Sequence, residues 1–228
     1  MSDFRFPSRV QKLRERLAKD ELDAIFISNG ENRRYVSGFV SSAGYLLVTQ
    51  NEAVICTDFR YTEMAQQQAP GWRVDRIGGK SDWLANLVKE FEIKTLGFES
   101  DDMTVATLER FKKALKENDA TPKLKPTSGI GVDLRAYKDA GELELLQKAI
   151  DIGDKAFEET AAQLAVGMTE KEAAWIFEKA VREQGAESIS FETIVAIGPN
   201  AARPHHATSD SKLVEGQTIV FDCGARYQ

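Results

Sequence analysis

Apolar residues recur at three- and four-residue steps near the start of the chain. In "SRVQKLRERLAKD", Val10, Leu13 and Leu17 share one helical face, with Ser8 and Gln11 in capping-box positions. The pattern then shortens to that of strands. "DAIFIS" reads as a buried strand, and "YLLVTQ" and "AVICTD" as a hairpin turning at Asn51 and Glu52. "FRYTEMAQQQA" predicts a helix stopped by Pro70 and Gly71. "GWRVDRI" and "TLGFES" predict strands around a helical "SDWLANLVKEF". "MTVATLERFKKALKE" predicts a helix with Val105, Leu108 and Ala114 or Leu115 inward. A hairpin combined with β-α-β crossovers implies an α/β domain with a mixed sheet.

Periodicity fails over "NDATPKLKPTSGIGVD", which reads as a short strand and linker, with a domain boundary near Thr127. The domains are therefore expected at 1–127 and 128–228. Two long helices open the second half. In the first, Leu143, Leu146, Ile150, Gly153, Phe157 and Leu164 keep the three-four spacing, Asp139 and Glu142 form a capping box, and Gly167 is the stop. In the second, Thr169 caps, Glu172 answers it, Ala173, Ile176, Phe177 and Ala180 face inward, and Gly185 ends the helix. "SFETIVAIG" and "TIVFDCGARY" predict strands, joined by a loop carrying "PNAARPHHATSD".

Composition narrows the class. Apolar residues make up 42% and charged residues 29% of 228, a globular balance rather than a disordered one. A net charge of −6 argues against a general nucleic-acid binder, which needs a basic face. No apolar run approaches the ~20 residues that span a bilayer, and no secretory signal is visible, so no membrane partner is expected and a cytoplasmic location is. Cys56 and Cys223 lack CxxC spacing and read as buried, reduced thiols.

Candidate chemistry gathers late in the chain. Both histidines, His205 and His206, stand side by side on the loop between the two strands, among Asn200, Arg203, Thr208, Ser209 and Asp210. Loops held by a rigid scaffold are where reactive groups concentrate. Asp222 puts a carboxylate beside Ile219, Val220 and Phe221, which read as a buried strand. A buried carboxylate is paired, protonated or bound to a cation, and the plainer alternative is a strand-end Asp capping a turn with Gly224. HExxH, CxxC, GxSxG and Walker patterns are absent.

The blocks "NRRYVSGFVSSAGYLLV", "TDFRY", "LRAYKDAGELELLQKAIDI", "GPNAARPHHATSD" and "LVEGQTIVFDCGARYQ" resemble, in order and spacing, the creatinase/Xaa-Pro peptidase family of prolidases and Xaa-Pro aminopeptidases. The resemblance implies a creatinase-like N-terminal domain followed by an incomplete α+β pita-bread catalytic domain. It implies a proline-specific metallopeptidase that hydrolyses Xaa-Pro bonds with a water activated by two divalent ions, manganese, cobalt or zinc, acting as Lewis acids. Peptide substrates and a homodimer are the partners it implies. Asp222 corresponds to the first metal-binding Asp, a residue that metal-free creatinase does not keep.

His205 corresponds to the histidine of the "PH" loop, a catalytic residue that binds substrate or the tetrahedral intermediate; Asp210 fixes the match. His206 falls where many members have glycine and is expected to be a bystander or a weak supporting group behind the site. Cys223 is expected to turn to the face opposite Asp222 by strand alternation. The remaining ligands, an Asp, a His and two Glu, are implied beyond Gln228, so this chain is expected to be inactive alone. Arg60, Tyr61 and Tyr35 are read as core and sheet-edge packing, with substrate or partner contact as the alternative. A relative without metals, serving as a protein-binding module, is the competing functional class.

Overall fold

The computed structural model describes residues 5–228, which divide into two compact units between Tyr137 and Lys138. The first unit is a mixed six-stranded sheet with helices on both faces. Its strands are β1 (Ala24–Ile27), β2 (Tyr45–Thr49), β3 (Ala53–Thr57), β4 (Arg73–Arg76), β5 (Thr95–Glu99) and β6 (Lys123–Thr127), in the order β4-β3-β2-β1-β5-β6. The β1-β2-β3 core is antiparallel, and β4, β5 and β6 join by parallel pairing.

Alternation along the central strands sends side chains to two separate cores. Ile25, Ile27, Leu46, Val48 and Ile55 meet Val10, Leu13 and Leu17 of α1 (Arg5–Lys19). Ala24, Phe26, Leu47, Val54 and Cys56 meet α4 (Asp82–Glu90) and α5 (Val105–Glu117). Phe26 stacks on Tyr45 and meets Phe111 edge-on. Two expectations fail at helix starts. Helix α1 begins before Ser8, with Pro7 tolerated in its first turn, so Ser8 lies inside the helix. Thr104 caps α5, which leaves Val105 in solvent while Phe111, Ala114 and Leu115 carry the buried face.

Two helices were not visible in the apolar pattern. Helix α2 (Gly30–Ser37) is polar, yet Asn29 caps it and Gly38 ends it at φ 79°. Its Arg33 is buried because the guanidinium donates to the carbonyls of Ser28, Ser41 and Gly44. Between them lies α3 (Thr62–Gln68). The second unforeseen helix is α6 (Ile130–Ala136), which follows the boundary expected near Thr127 and lies in the first of the two compact units. Tyr35 Oη donates to Leu134 O (2.9 Å), Arg135 to Asn32 Oδ1 (2.9 Å) and Arg16 to Asp133 (3.0 Å), so α6 is bonded to the first unit.

The second unit pairs α7 (Ala140–Ala161) with α8 (Glu170–Glu183) through Ala156, Phe177, Ala180 and Val181. Both expected capping boxes form. Helix α7 ends at Ala161, short of Leu164, and its stripe of Leu143, Leu146, Ile150 and Phe157 is 42–54% exposed. Strand β8 (Ile194–Ile197) pairs antiparallel with β9 (Ile219–Asp222), and β7 (Ser188–Ile189) with β10 (Ala225–Arg226). Among the described residues no helix is long and apolar enough to cross a membrane.

Candidate functional site

The loop from Gly198 to Thr218 joins β8 to β9 and begins with a 3-10 turn over Gly198–Ala202. The side chains of Asn200, His206, Thr208, Ser209 and Ser211 on it are hydrogen-bonded. In the β8–β9 ladder, the amides of Val195 and Ile197 point away from β9. Thr208 Oγ1 accepts from Val195 N (2.9 Å), and Glu170 Oε1 accepts from Ile197 N (2.9 Å). Side chains thereby close a strand edge that would otherwise be left unpaired.

The loop also docks on the start of α8. Glu170 N donates to Ser211 O (3.0 Å) and Lys171 N to Ser209 O (3.2 Å), so loop carbonyls take two of the amides that a helix start leaves open. Glu170, the first residue of α8, has its side chain fully buried. Besides Ile197 N, it accepts from Asn200 Nδ2 (3.0 Å), Ser209 N (2.9 Å), Ser209 Oγ (2.7 Å) and His206 Nε2 (2.8 Å). Burial pushes the carboxyl up; the donors from His206, Asn200, Ser209 and Ile197 outweigh it and hold it at about 2. The position at the positive end of the helix favours the anion as well.

The adjacent histidines therefore divide. His206 is buried, 8% exposed, and anchored on Glu170. Of the two roles expected for it, the supporting one fits this burial: an imidazole reaches a buried acceptor that a glycine cannot. His205 is exposed, and among the described residues no hydrogen bond or ion pair holds its ring. Asp210 is exposed too, and Lys171 pairs with it at 2.9 Å.

Asp222 ends β9 opposite Ile194 and is exposed. The strand around it is not the buried one expected. Val220 is 41% exposed, and among the described residues β9 pairs with β8 alone. Ile219 and Phe221 are half-buried, and Phe157 meets Phe221 edge-on. Cys223 packs with Ala156, Phe177, Ala180 and Val181, and burial with the neighbouring Asp222 pushes its thiol up. Cys56 is fully buried and pushed up further by burial. In the first unit, Tyr35 and Tyr61 make packing contacts: Tyr35 lies under the Arg9 guanidinium, and Tyr61 Oη is 2.6 Å from Ser42 Oγ. Arg60 is tied to Asp58.

Residues 9–137 match the Creatinase/Prolidase N-terminal domain, and residues 144–228 match Metallopeptidase family M24. The chain belongs to the creatinase/Xaa-Pro peptidase family. The relatives of this family member agree. A Xaa-Pro dipeptidase of Pyrococcus horikoshii is 31% identical over 96% of the chain and 60% of its own length. The structure of a Xaa-Pro dipeptidase from Bacillus anthracis superposes with a TM-score of 0.91 at 35% identity, over 97% of this chain and 61% of that one. An X-Pro aminopeptidase from Thermotoga maritima gives 0.86 at 34%, over 96% and 61%. The chain thus spans about three-fifths of the length of these relatives.

A metallopeptidase centre needs several convergent oxygen and nitrogen ligands. Among the described residues, no group of three or more His, Cys, Asp or Glu could hold a metal ion. Asp222 is one carboxylate at a strand end, and the described donors alone do not fit a two-cation site. Sequence reasoning singled out His205 and Asp222 and passed over Glu170. The signal available was slight: "TEKE" contains two acids, and a capping box uses only Glu172.

Proposed function

We propose that this chain is part of a proline-specific metallopeptidase that hydrolyses Xaa-Pro bonds. The observation that carries the reading is the successive match of the creatinase/prolidase and M24 regions along one chain. In this reading Asp222 is a metal ligand and His205 the substrate-side histidine. Divalent ions, when bound, supply Lewis acidity and an activated water. The chain's own contribution is to offer one carboxylate at the end of β9 and to present an imidazole from an anchored loop. That imidazole donates to or accepts from the substrate carbonyl region, where negative charge develops in acyl transfer. The 228-residue chain alone is proposed to be inactive, since one carboxylate cannot hold two cations.

The test uses Gly-Pro and a longer Xaa-Pro peptide with manganese, cobalt or zinc. The chain alone is expected to cleave neither. A chimera completed with the remaining part of the Bacillus anthracis dipeptidase is expected to cleave at least one, and to lose that activity in D222A and most of it in H205A. A folded, metal-binding chimera that cleaves neither peptide overturns the peptidase reading and favours the non-catalytic binding module. Metal-dependent cleavage by the chain alone overturns its inactivity.

A further inference from the structure

We infer that Glu170 and His206 form a buried positioning pair that fixes the 198–211 loop and thereby presents His205. The importance of His205 rests on the peptidase reading above; the positioning does not. Glu170 is fully buried and 35 residues before His205 in the chain. Its two oxygens collect donors from the end of β8 (Ile197), the 3-10 turn (Asn200), the histidine pair (His206) and the descending arm of the loop (Ser209).

A capping residue needs none of this. Thr169 and Glu172 already complete the capping box of α8. The side chain of Glu170 is thus free to act as the hub of the loop. Its Oε1 takes the start of the loop and its Oε2 the later part. His206 N also donates to Arg203 O (3.2 Å), closing a turn across the Pro204–His205 segment. With the His206 ring drawn inward and its neighbour's backbone fixed, His205 is the imidazole left facing outward. A fixed backbone narrows the positions His205 can take, which is what a group acting on a substrate requires.

The pair makes a specific demand on chemistry. Glu170 Oε2 is an acceptor, so the Nε2 atom of His206 carries a proton. Ser209 Oγ shares the same oxygen and in turn contacts Ser211 Oγ at 2.9 Å. Replacing the carboxylate by an amide keeps the volume but leaves only one accepting oxygen. The loop then loses either its Ile197–Asn200 side or its His206–Ser209 side.

The chain has only two histidines, so side-chain nitrogen-15 spectra of the 228-residue protein resolve the two rings. One ring is expected to show a slowly exchanging Nε2–H, assigned to His206, and the amides of residues 198–211 to be ordered on the nanosecond scale. In E170Q that proton is expected to exchange at least tenfold faster and the loop, His205 included, to become mobile, while α7 and α8 keep their amide protection. H206Q, which keeps an N–H donor near the place of Nε2, is expected to retain loop order; H206L is expected to lose it.

An unchanged loop in E170Q, or equal loss of order in H206Q and H206L, overturns the inference. Should E170Q unfold the α7–α8 core, the H206Q and H206L comparison decides alone. Loss of core protection together with loop order in both His206 variants also overturns it, since the role would then be stability of the whole unit. None of these readouts involves cleavage. An inactive chimera with the expected spectra strikes only at the peptidase reading, and an active one with an unperturbed E170Q loop strikes only at this inference.

Discussion

His206 Nε2 lies 2.8 Å from Glu170 Oε2, and both side chains are buried. Beside it in sequence, His205 is exposed. Two chemically identical neighbours are thus given different work by one carboxylate: the first is offered to the surroundings, the second holds the loop that offers it.

Truncating that carboxylate is expected to be severe. Glu170→Ala leaves Ile197 N, Asn200 Nδ2, His206 Nε2 and the Ser209 donors without their acceptor in a buried site. Breaking a buried charged network by removing one partner costs about 3–5 kcal/mol. Urea unfolding followed by helical circular dichroism measures it, and a loss below about 1 kcal/mol would contradict the network's importance.

The same group sets a dependence on pH. Its carboxyl is held at about 2 in the folded chain, below the ordinary 4.5. A lowered value means that the contribution is fully present above pH 4.5 and is lost as pH falls towards 2. Its size is at most ~3 kcal/mol. The stability difference between the natural chain and E170Q is expected to be flat above pH 5 and to shrink below 4.5. A difference as large at pH 2.5 as at pH 6 would exclude the depressed carboxyl.

The thiols make a simpler pair. Cys56 sits in the second core of the sheet and is fully buried; Cys223 is half-buried beside exposed Asp222. Burial raises both thiols, and Cys56 is the more deeply buried. Iodoacetamide at pH 8 is expected to modify Cys223 slowly and Cys56 only in denaturant, as read by peptide mass. Equal rates in the native state would refute this ordering.

Much of the fold could be read from pattern because its strands alternate cleanly between two cores and its long helices carry visible caps. Asp139, Thr169 and Gly185 stand where the spacing puts them. The failures have physical causes. Helix α2 buries Arg33 and Asn32, so polarity hid it; Asn29 and Gly38 were the available signals. Helix α6 is short and follows a stretch of Pro, Lys and Thr without apolar periodicity, which reads as linker. The site was legible only in part. His205 and Asp222 stand out as residue types, but Glu170 acts through partners 27 to 39 residues away. No local pattern reports contacts of that range, and the burial of His206 depends wholly on them.

The boundary at Tyr137 can be tested through one glycine. A Cβ on Gly131 would overlap the side chain of Asn32, which is buried and donates to Glu99 Oε1 (2.6 Å) while accepting from Arg135. Burial raises the Glu99 carboxyl, and donors from Asn29, Asn32 and Ser28 work against that rise. Asn32 therefore cannot move without disturbing a buried carboxylate. Gly131→Ala is expected to lose about 1–3 kcal/mol, the usual cost of overpacking, despite alanine's better helix propensity. The loss should appear in a fragment of residues 1–137, whose two cores are complete within it. A fragment of residues 1–127, lacking α6, is expected to expose Tyr35 and Ile25's side of the sheet and to melt well below the longer one. If the two fragments melt together and G131A is neutral, α6 is a linker after all and the boundary belongs at Thr127.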